Sequence, residues 1–312
     1  MDFETFKEKV KREINCGSGG RKAELKEMWR NNGRKETGLL LTGPGEQAVP
    51  VVYLEAHYKN LQEGKTFQAV LQEIQREYER HRLTGEMDVS AFTCWERAKE
   101  TLGLKVINYQ RNKELLKTLP HHRVLDLAVV YCCMARMEAG QKGTILVHRA
   151  YMQMWGISEE ELKRCAYASH KKRSRRKVMP LDEVIFALEA ERLEEEEGAL
   201  SESLTGVYVA MDSRNAYGAS VLLFPETFRE LAERYKSSLY LLPSSIYEVM
   251  ALPAGSGEPR ELAGIVREIN QTQVLPEEQL SDNIYRYDRE RGEIELAWEW
   301  KKEGREKEAD KE

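Results

Sequence analysis

Long apolar runs are missing from this chain. The stretch from Leu127 to Met134 is far shorter than the roughly 20 residues an apolar helix needs to cross a bilayer, so no membrane association is expected. The opening residues Met1-Asp2-Phe3-Glu4 are acidic and lead into no apolar segment, which predicts no secretory signal at this end. An excess of one charge is missing too. The 48 basic and 53 acidic residues leave a formal net charge of −5, too little for a global pull on nucleic acid or acidic lipid. Any such partner needs a local patch. Cysteine is sparse and odd in number: Cys16, Cys94, Cys132, Cys133 and Cys165 include no pair at C-x-x-C spacing. Free thiols, with Cys132 and Cys133 pointing to opposite faces of a strand, fit a reducing, cytoplasmic setting.

What the chain has is enough apolar material for a core. Hydrophobic residues make up 41% of the 312 and charged ones 32%, which excludes wholesale disorder and places the chain near the size where one core divides. Phe3, Phe6 and Val10 predict an amphipathic helix. Residues 22–30 and 36–42 predict a hairpin around Asn31-Asn32-Gly33, whose residues tolerate positive φ. A helix is expected from Val51 to Leu61, and another capped by Thr66. Val106 to Tyr109 reads as a strand, and Val124 to Tyr131 as a continuous one buried on both faces. Ser158-Glu159-Glu160-Glu161 forms a capping box ahead of Leu162, Cys165 and Ala166. An acidic helix (182–197) and a second hairpin, Val207–Met211 with Ala219–Leu223, are predicted next. Leu239–Leu242 is a strand leading into a helix capped at Ser245, and a last hairpin crosses 284–298. Strand-strand-helix units thus recur at 22–80, 124–170 and 206–236.

Few residues assemble into a pattern that carries chemistry. Lys171, Lys172, Arg173, Arg175, Arg176 and Lys177 concentrate six cations in seven positions, a candidate patch for phosphates or an acidic partner. A solvated loop compensated by the glutamates of 189–197 is the simpler reading, since no aromatic stacking residues accompany it. Asp126 inside an apolar strand needs a partner, and His121 and His122 lie just before it in the loop after Pro120. With Ser244 and Ser245 at a strand-to-helix junction, these form a candidate polar site whose members also have ordinary structural explanations. No third ligand supports a metal at the adjacent histidines. A phosphate-binding glycine loop, a Gly-x-Ser-x-Gly elbow and a His-Glu-x-x-His helix are all missing, so no cofactor or catalytic residue is assigned.

Several ordered motifs carry a family resemblance. They are Asn112-Lys113-Glu114-Leu115-Leu116 through Pro120-His121-His122-Arg123, then Leu125 to Tyr131, and Thr144-Ile145-Leu146-Val147 leading to Met154-Trp155-Gly156-Ile157-Ser158. Leu242-Pro243-Ser244-Ser245-Ile246-Tyr247-Glu248 and Leu280-Ser281-Asp282-Asn283-Ile284-Tyr285 complete the set. The chain resembles the bacterial family catalogued as domain of unknown function 5688, found mainly in gut Firmicutes, from about residue 3 to 290. The resemblance implies no activity, cofactor or site residue. The basic run 171–177 replaces a more ordinary loop of that family.

The expectation is an α+β fold, mainly antiparallel, in two closely packed lobes: 1–103 (helix, hairpin, helix) and 104–298 (mixed), with 299–312 a charged flexible tail. The leading functional expectation is a non-enzymatic binding or regulatory module for a protein or peptide, acting through a groove between the lobes. The alternatives are a nucleic-acid-associated protein of mobile elements using 171–177, and an enzyme whose site assembles only in three dimensions.

Overall fold

Apolar spacing of four residues in the first helix, α1 (Phe3–Gly17), puts Phe6, Val10 and Ile14 on one buried face. The structure, a computed structural model, describes residues 1–17, 21–43, 49–81, 90–136, 142–189, 202–214 and 216–299. After α1 come β1 (Lys22–Trp29) and β2 (Lys35–Thr42), paired antiparallel from Lys22↔Thr42 to Trp29↔Lys35. Asn32 and Gly33 turn the chain at φ +62° and +71°, the left-handed conformation these two residue types accept. Val51–Tyr53 is a short strand, β3, on the far side of β2, and not the first turn of a helix. Its β-branched pair fits the sheet, and the helix α2 (Leu54–Gln62) starts one residue later. Thr66 caps α3 (Phe67–His81), its hydroxyl accepting from the Ala69 amide at 3.3 Å. Val70, Leu71, Ile74 and Tyr78 then meet Phe6, Leu39 and Val52 in an apolar cluster.

Two short helices, α4 (Ser90–Thr93) and α5 (Trp95–Thr101), lead into β4 (Leu102–Asn108). The second sheet adds α6 (Lys113–Leu116) and the strands β5 (His121–Val124), β6 (Leu127–Arg136) and β7 (Lys142–Leu146). The apolar run 124–131 is therefore not one strand. Leu125 takes φ +54° and with Asp126 turns the chain, so that Val124 pairs with Leu127. His121 and His122 accordingly lie on a strand and not in a loop. β6 is central as expected, with β4 on one side and β5 then β7 end to end on the other. One face of this sheet, Leu104, Val106, Val129 and Tyr131 among others, enters the main core. The opposite face carries Lys105, Ile107, Ala128 and Val130 and is covered at one end by Leu115, Leu116 and Leu119.

Next, α7 (Arg149–Trp155) stops at Gly156, φ +67°, and α8 (Glu159–Arg173) begins at Ser158, whose hydroxyl accepts from the Glu161 amide. The third sheet is built from β8 (Arg176–Pro180), β9 (Tyr208–Asp212), β10 (Leu239–Leu242), β11 (Val249–Pro253), β12 (Ile284–Asp288) and β13 (Glu293–Trp298). Its order is β13-β12-β10-β11-β9-β8, with every pairing antiparallel. The helices α9 (Leu181–Glu189), α10 (Arg229–Tyr235) and α11 (Pro259–Thr272) complete the chain, α11 packing on the outer face of this sheet. The α+β class and its antiparallel character hold.

Further expectations fail in this part of the chain. Ala219–Leu223 is not a hairpin partner of β9 but part of a 3-10 helix, Gly218–Leu223, because β8 and β11 already occupy both edges of β9. The unit at 206–236 therefore has one strand, and the strand-strand-helix recurrence breaks there. No helix follows Ser245: Ser244 to Glu248 link β10 to β11, with Ser245 bridging Gln279. The residues of 190–197 and the tail 300–312 lie outside the described residues. No helix among the described residues is long and apolar enough to cross a membrane.

Candidate functional site

The uncovered end of the second sheet's outer face forms the floor of a cleft. Lys105, Ile107 and Val130 lie there, flanked by Thr144 and Leu146 of β7. Trp29, Arg30 and Asn31 at the end of β1, with Tyr53 of β3, make one wall. Tyr217, Ile246 and Tyr247 make the other, and Glu277 and Glu278 stand at the rim. The enclosed volume is about 450 Å³, within the range of small-ligand sites.

The turn at Asn31–Gly33 holds the first wall in place. Asn31 donates to the Glu277 carbonyl at 2.7 Å, and Asn32 to the carbonyls of Pro276 and Gln279, both at 2.7 Å. The Asn32 amide donates to Asn112 Oδ1 at 2.8 Å, and Arg34 pairs with the Glu277 carboxylate at 2.6 Å. Asn112 is fully buried and belongs to the Asn112–Leu116 motif, so that motif has a structural task at this joint. A Cβ on Gly33 would stand 2.9 Å from the Arg111 carbonyl oxygen at a positive φ, so both sterics and conformation require glycine.

Lys105 is the unusual member of the cleft. It is 8% exposed, in a strand whose every residue is buried. Its ammonium lies 4.0 Å from the Tyr217 ring centroid, and no described carboxylate pairs with it. Burial pushes its pKa down to about 8, with the Arg30 charge acting in the same direction. Arg30 lies 4.1 Å over the Tyr53 ring, while Glu277 is engaged by Arg34 and Glu278 accepts from the Tyr247 hydroxyl at 3.1 Å. Thr144 and Tyr217 share one hydroxyl hydrogen bond at 3.0 Å. One of their two protons is thus left over for another acceptor.

The residues singled out from the sequence sit elsewhere. Asp126 accepts from Ser281 at 2.7 Å, Asn283 at 2.9 Å and Tyr285 at 2.5 Å, and so ties the second sheet to the third. Its partners are neither Arg123 nor a histidine. Ser244 and Ser245 come close to this knot, since Leu280 donates to the Ser244 carbonyl and Ser281 to that of Pro243. The Ser245 hydroxyl accepts from the Tyr247 amide at 2.9 Å and so stabilises the β10–β11 connection. His121 hydrogen-bonds the Leu119 carbonyl at 2.9 Å. His122 lies between the Tyr131 and Tyr167 hydroxyls, 3.0 Å from each.

Burial holds the His122 imidazole pKa down at about 4, with the nearby Lys163 charge adding to the effect. The folded protein keeps this ring neutral while the unfolded chain protonates it near 6.5. Its contribution to stability is therefore complete above pH 6.5 and is lost as the pH falls toward 4. Urea unfolding should lose about 1–2 kcal/mol over that interval from this group, after allowance for solvent at the partly exposed ring. A His122 imidazole titrating near 6.5 by NMR in the folded protein would contradict this.

The basic run is not a loop. Lys171, Lys172 and Arg173 finish α8, where positive charge complements the helix dipole, and Arg176 and Lys177 begin β8. Arg173 donates to the Leu102 carbonyl and to Ser169, and the Arg175 amide donates to Asp212 at 2.9 Å. Arg176 pairs with Glu226 at 3.2 Å and lies 4.3 Å over the Phe224 ring. Only Lys171 and Lys172 of the six are exposed.

Two arrangements went unnoticed in the sequence. His170, Asp212 and Ser220 meet in the core, with His170 Nε2 3.4 Å from both the Asp212 carboxylate and the Ser220 hydroxyl. The Leu104 amide donates to His170 Nδ1 at 3.2 Å, so Nε2 carries the proton and is no base for the serine. The other is Lys105, a lone lysine inside Leu102-Gly103-Leu104-Lys105-Val106-Ile107, the same kind of signal that drew attention to Asp126. Among the described residues no three His, Cys, Asp or Glu side chains converge as a metal site requires.

No curated protein and no solved structure matches the chain. The family model for DUF5688, a family of unknown function, matches residues 3–289. That match covers nearly the whole chain, including both walls and the floor of the cleft, and the protein belongs to the DUF5688 family.

Proposed function

We propose that the protein is a non-enzymatic binding module that receives a segment of a protein or peptide partner in the cleft over Lys105. The observation that carries this reading is the cleft itself. It is walled by elements from residues 29–53, 105–146 and 217–278, and among the described residues the strands β3 and β7 at its sides are each paired on one edge. An unpaired strand edge beside a pocket is a common setting for an extended peptide. In this reading residues 1–103 and 104–298 act as two lobes that bound the site. A bacterial, cytoplasmic setting belongs to the same reading, supported by five free cysteines of which Cys132 and Cys133 are buried. Nucleic-acid binding has less behind it, because the guanidinium groups of Arg173 and Arg176 are engaged within the fold.

Selection of random peptides against the whole protein tests the proposal. Enriched peptides are expected to slow amide exchange at Trp29–Asn31, Val51–Tyr53 and Lys142–Leu146. Failure to enrich any peptide, or protection confined to other surfaces, overturns it.

A further inference from the structure

A buried cation without a counter-charge is costly, and proteins normally pair it, coordinate it or neutralise it. The Lys105 ammonium lies over the face of Tyr217, and no carboxylate among the described residues pairs with it. The two carboxylates at the rim are already engaged with Arg34 and Tyr247. Arg30, on the opposite wall, is paired with Glu36 at 3.6 Å and so adds only a partly compensated positive charge, and the Thr144–Tyr217 pair has one hydroxyl proton to give. The cleft therefore offers donors and positive charge with no free described carboxylate to meet them, and its one unpartnered buried acceptor among the described residues is Asn31 Oδ1 on the first wall. Beside them the floor is apolar, formed by Ile107, Leu115, Val130 and Leu146.

We infer that this corner of the cleft captures the terminal carboxylate of a peptide whose last residue is apolar. The carboxylate accepts from Lys105 and from the Thr144–Tyr217 pair, with Arg30 supplying the second charge. The last side chain lies on Ile107, Leu115, Val130 and Leu146. A chain end suits the place because it brings an anion and an adjoining apolar side chain together, matching Lys105 and the Thr144–Tyr217 pair beside the apolar floor. The inference rests on the binding reading above and adds the chemistry of the occupant.

The test uses the full chain and fluorescein-labelled pools of random hexapeptides that end in leucine. One pool carries a free carboxylate, one a C-terminal amide, and one an amide with an internal glutamate. A charge-assisted hydrogen bond is worth about 1.5–3 kcal/mol, so the free-acid pool should bind roughly tenfold or more tighter than the amide by fluorescence anisotropy. Lys105→Met should remove that advantage, bringing the ratio of free-acid to amide affinity close to one. The methionine keeps length and apolarity and deletes an unpaired buried charge, so this variant is expected to unfold at the same or a higher temperature than the parent. Arg30→Gln, at the partly exposed end of the wall, is a second variant and should lower free-acid affinity by a smaller factor.

Equal binding of acid and amide pools, unchanged by Lys105→Met, would sink the inference while the peptide-binding reading stands. Tight binding of the internal-glutamate amide, lost in Lys105→Met, would overturn the terminal assignment. No binding by any pool would remove the binding reading itself.

Discussion

Gly218→Ala is expected to be among the most damaging single-atom additions in the molecule. Gly218 opens the 3-10 helix that runs against the β10–β11 connection, and the Ala219 amide donates to the Ile246 carbonyl at 3.2 Å. A Cβ at 218 would be driven into the Tyr247 carbonyl oxygen, with Met211 Cβ at 3.1 Å and the Asp212 amide nitrogen at 3.2 Å on its other sides. The neighbours are mostly backbone, so the clash cannot be relieved by a side-chain rotation. Either the 3-10 helix or the 244–248 connection must move, and both are anchored in the main core through Val221 and Ile246. The expected loss in urea unfolding is about 3 kcal/mol or more, at the upper end for overpacking. Gly255→Ala is the control, since nothing stands within 4 Å of the added Cβ, and it should lie within about 0.5 kcal/mol of the parent. Equal effects from the two substitutions would show that close packing at 218 is not what requires glycine.

Asp126→Ala should have an effect of similar size for a different reason. Three donors from one segment, Ser281, Asn283 and Tyr285, converge on this carboxylate. Tyr285 is fully buried, and burial together with the facing Asp126 charge holds its phenol well above the usual range. Truncation at 126 leaves that hydroxyl without its acceptor and takes one hydrogen bond each from Ser281 and Asn283, a cost of about 3–5 kcal/mol in unfolding free energy. Tyr285→Phe alone should cost only about 1 kcal/mol, because Asp126 keeps Ser281 and Asn283. In the double variant the orphaned hydroxyl is gone, so the two losses should add to less than their sum. Strict additivity would mean that the Tyr285 bond contributes nothing to the tie between the sheets.

These two sites also show where sequence reading reaches its limit. Asp126 was conspicuous as a charge in an apolar run, yet its position looked like mid-strand. The hairpin there depends on Leu125 at positive φ, a conformation leucine rarely adopts, held by the pairing of Val124 with Leu127. Gly218 gave no signal at all, because its requirement arises from a carbonyl 29 positions away in the chain. Val207–Met211 was correctly a strand, but its partners are β8 and β11 and not the apolar residues that follow it. Apolar spacing identifies a buried segment and leaves the choice of neighbour to the rest of the chain.

The sequence by itself determined the local features of this protein. These are the helical stripe of α1, the Asn31–Gly33 turn, the Thr66 and Ser158 caps, the last hairpin at 284–298 and the mixed α+β class. Each depends on residues within a few positions of one another, where sterics and hydrogen-bonding chemistry act directly. Only the tertiary structure decided that Lys105 faces an open cleft. Whether a buried lysine is paired depends on what stands opposite it, and here that is Arg30, Tyr217 and two engaged glutamates brought from 75 to 173 positions away. Charge compensation is a long-range property of the packed chain, and no pattern of neighbours in sequence specifies it.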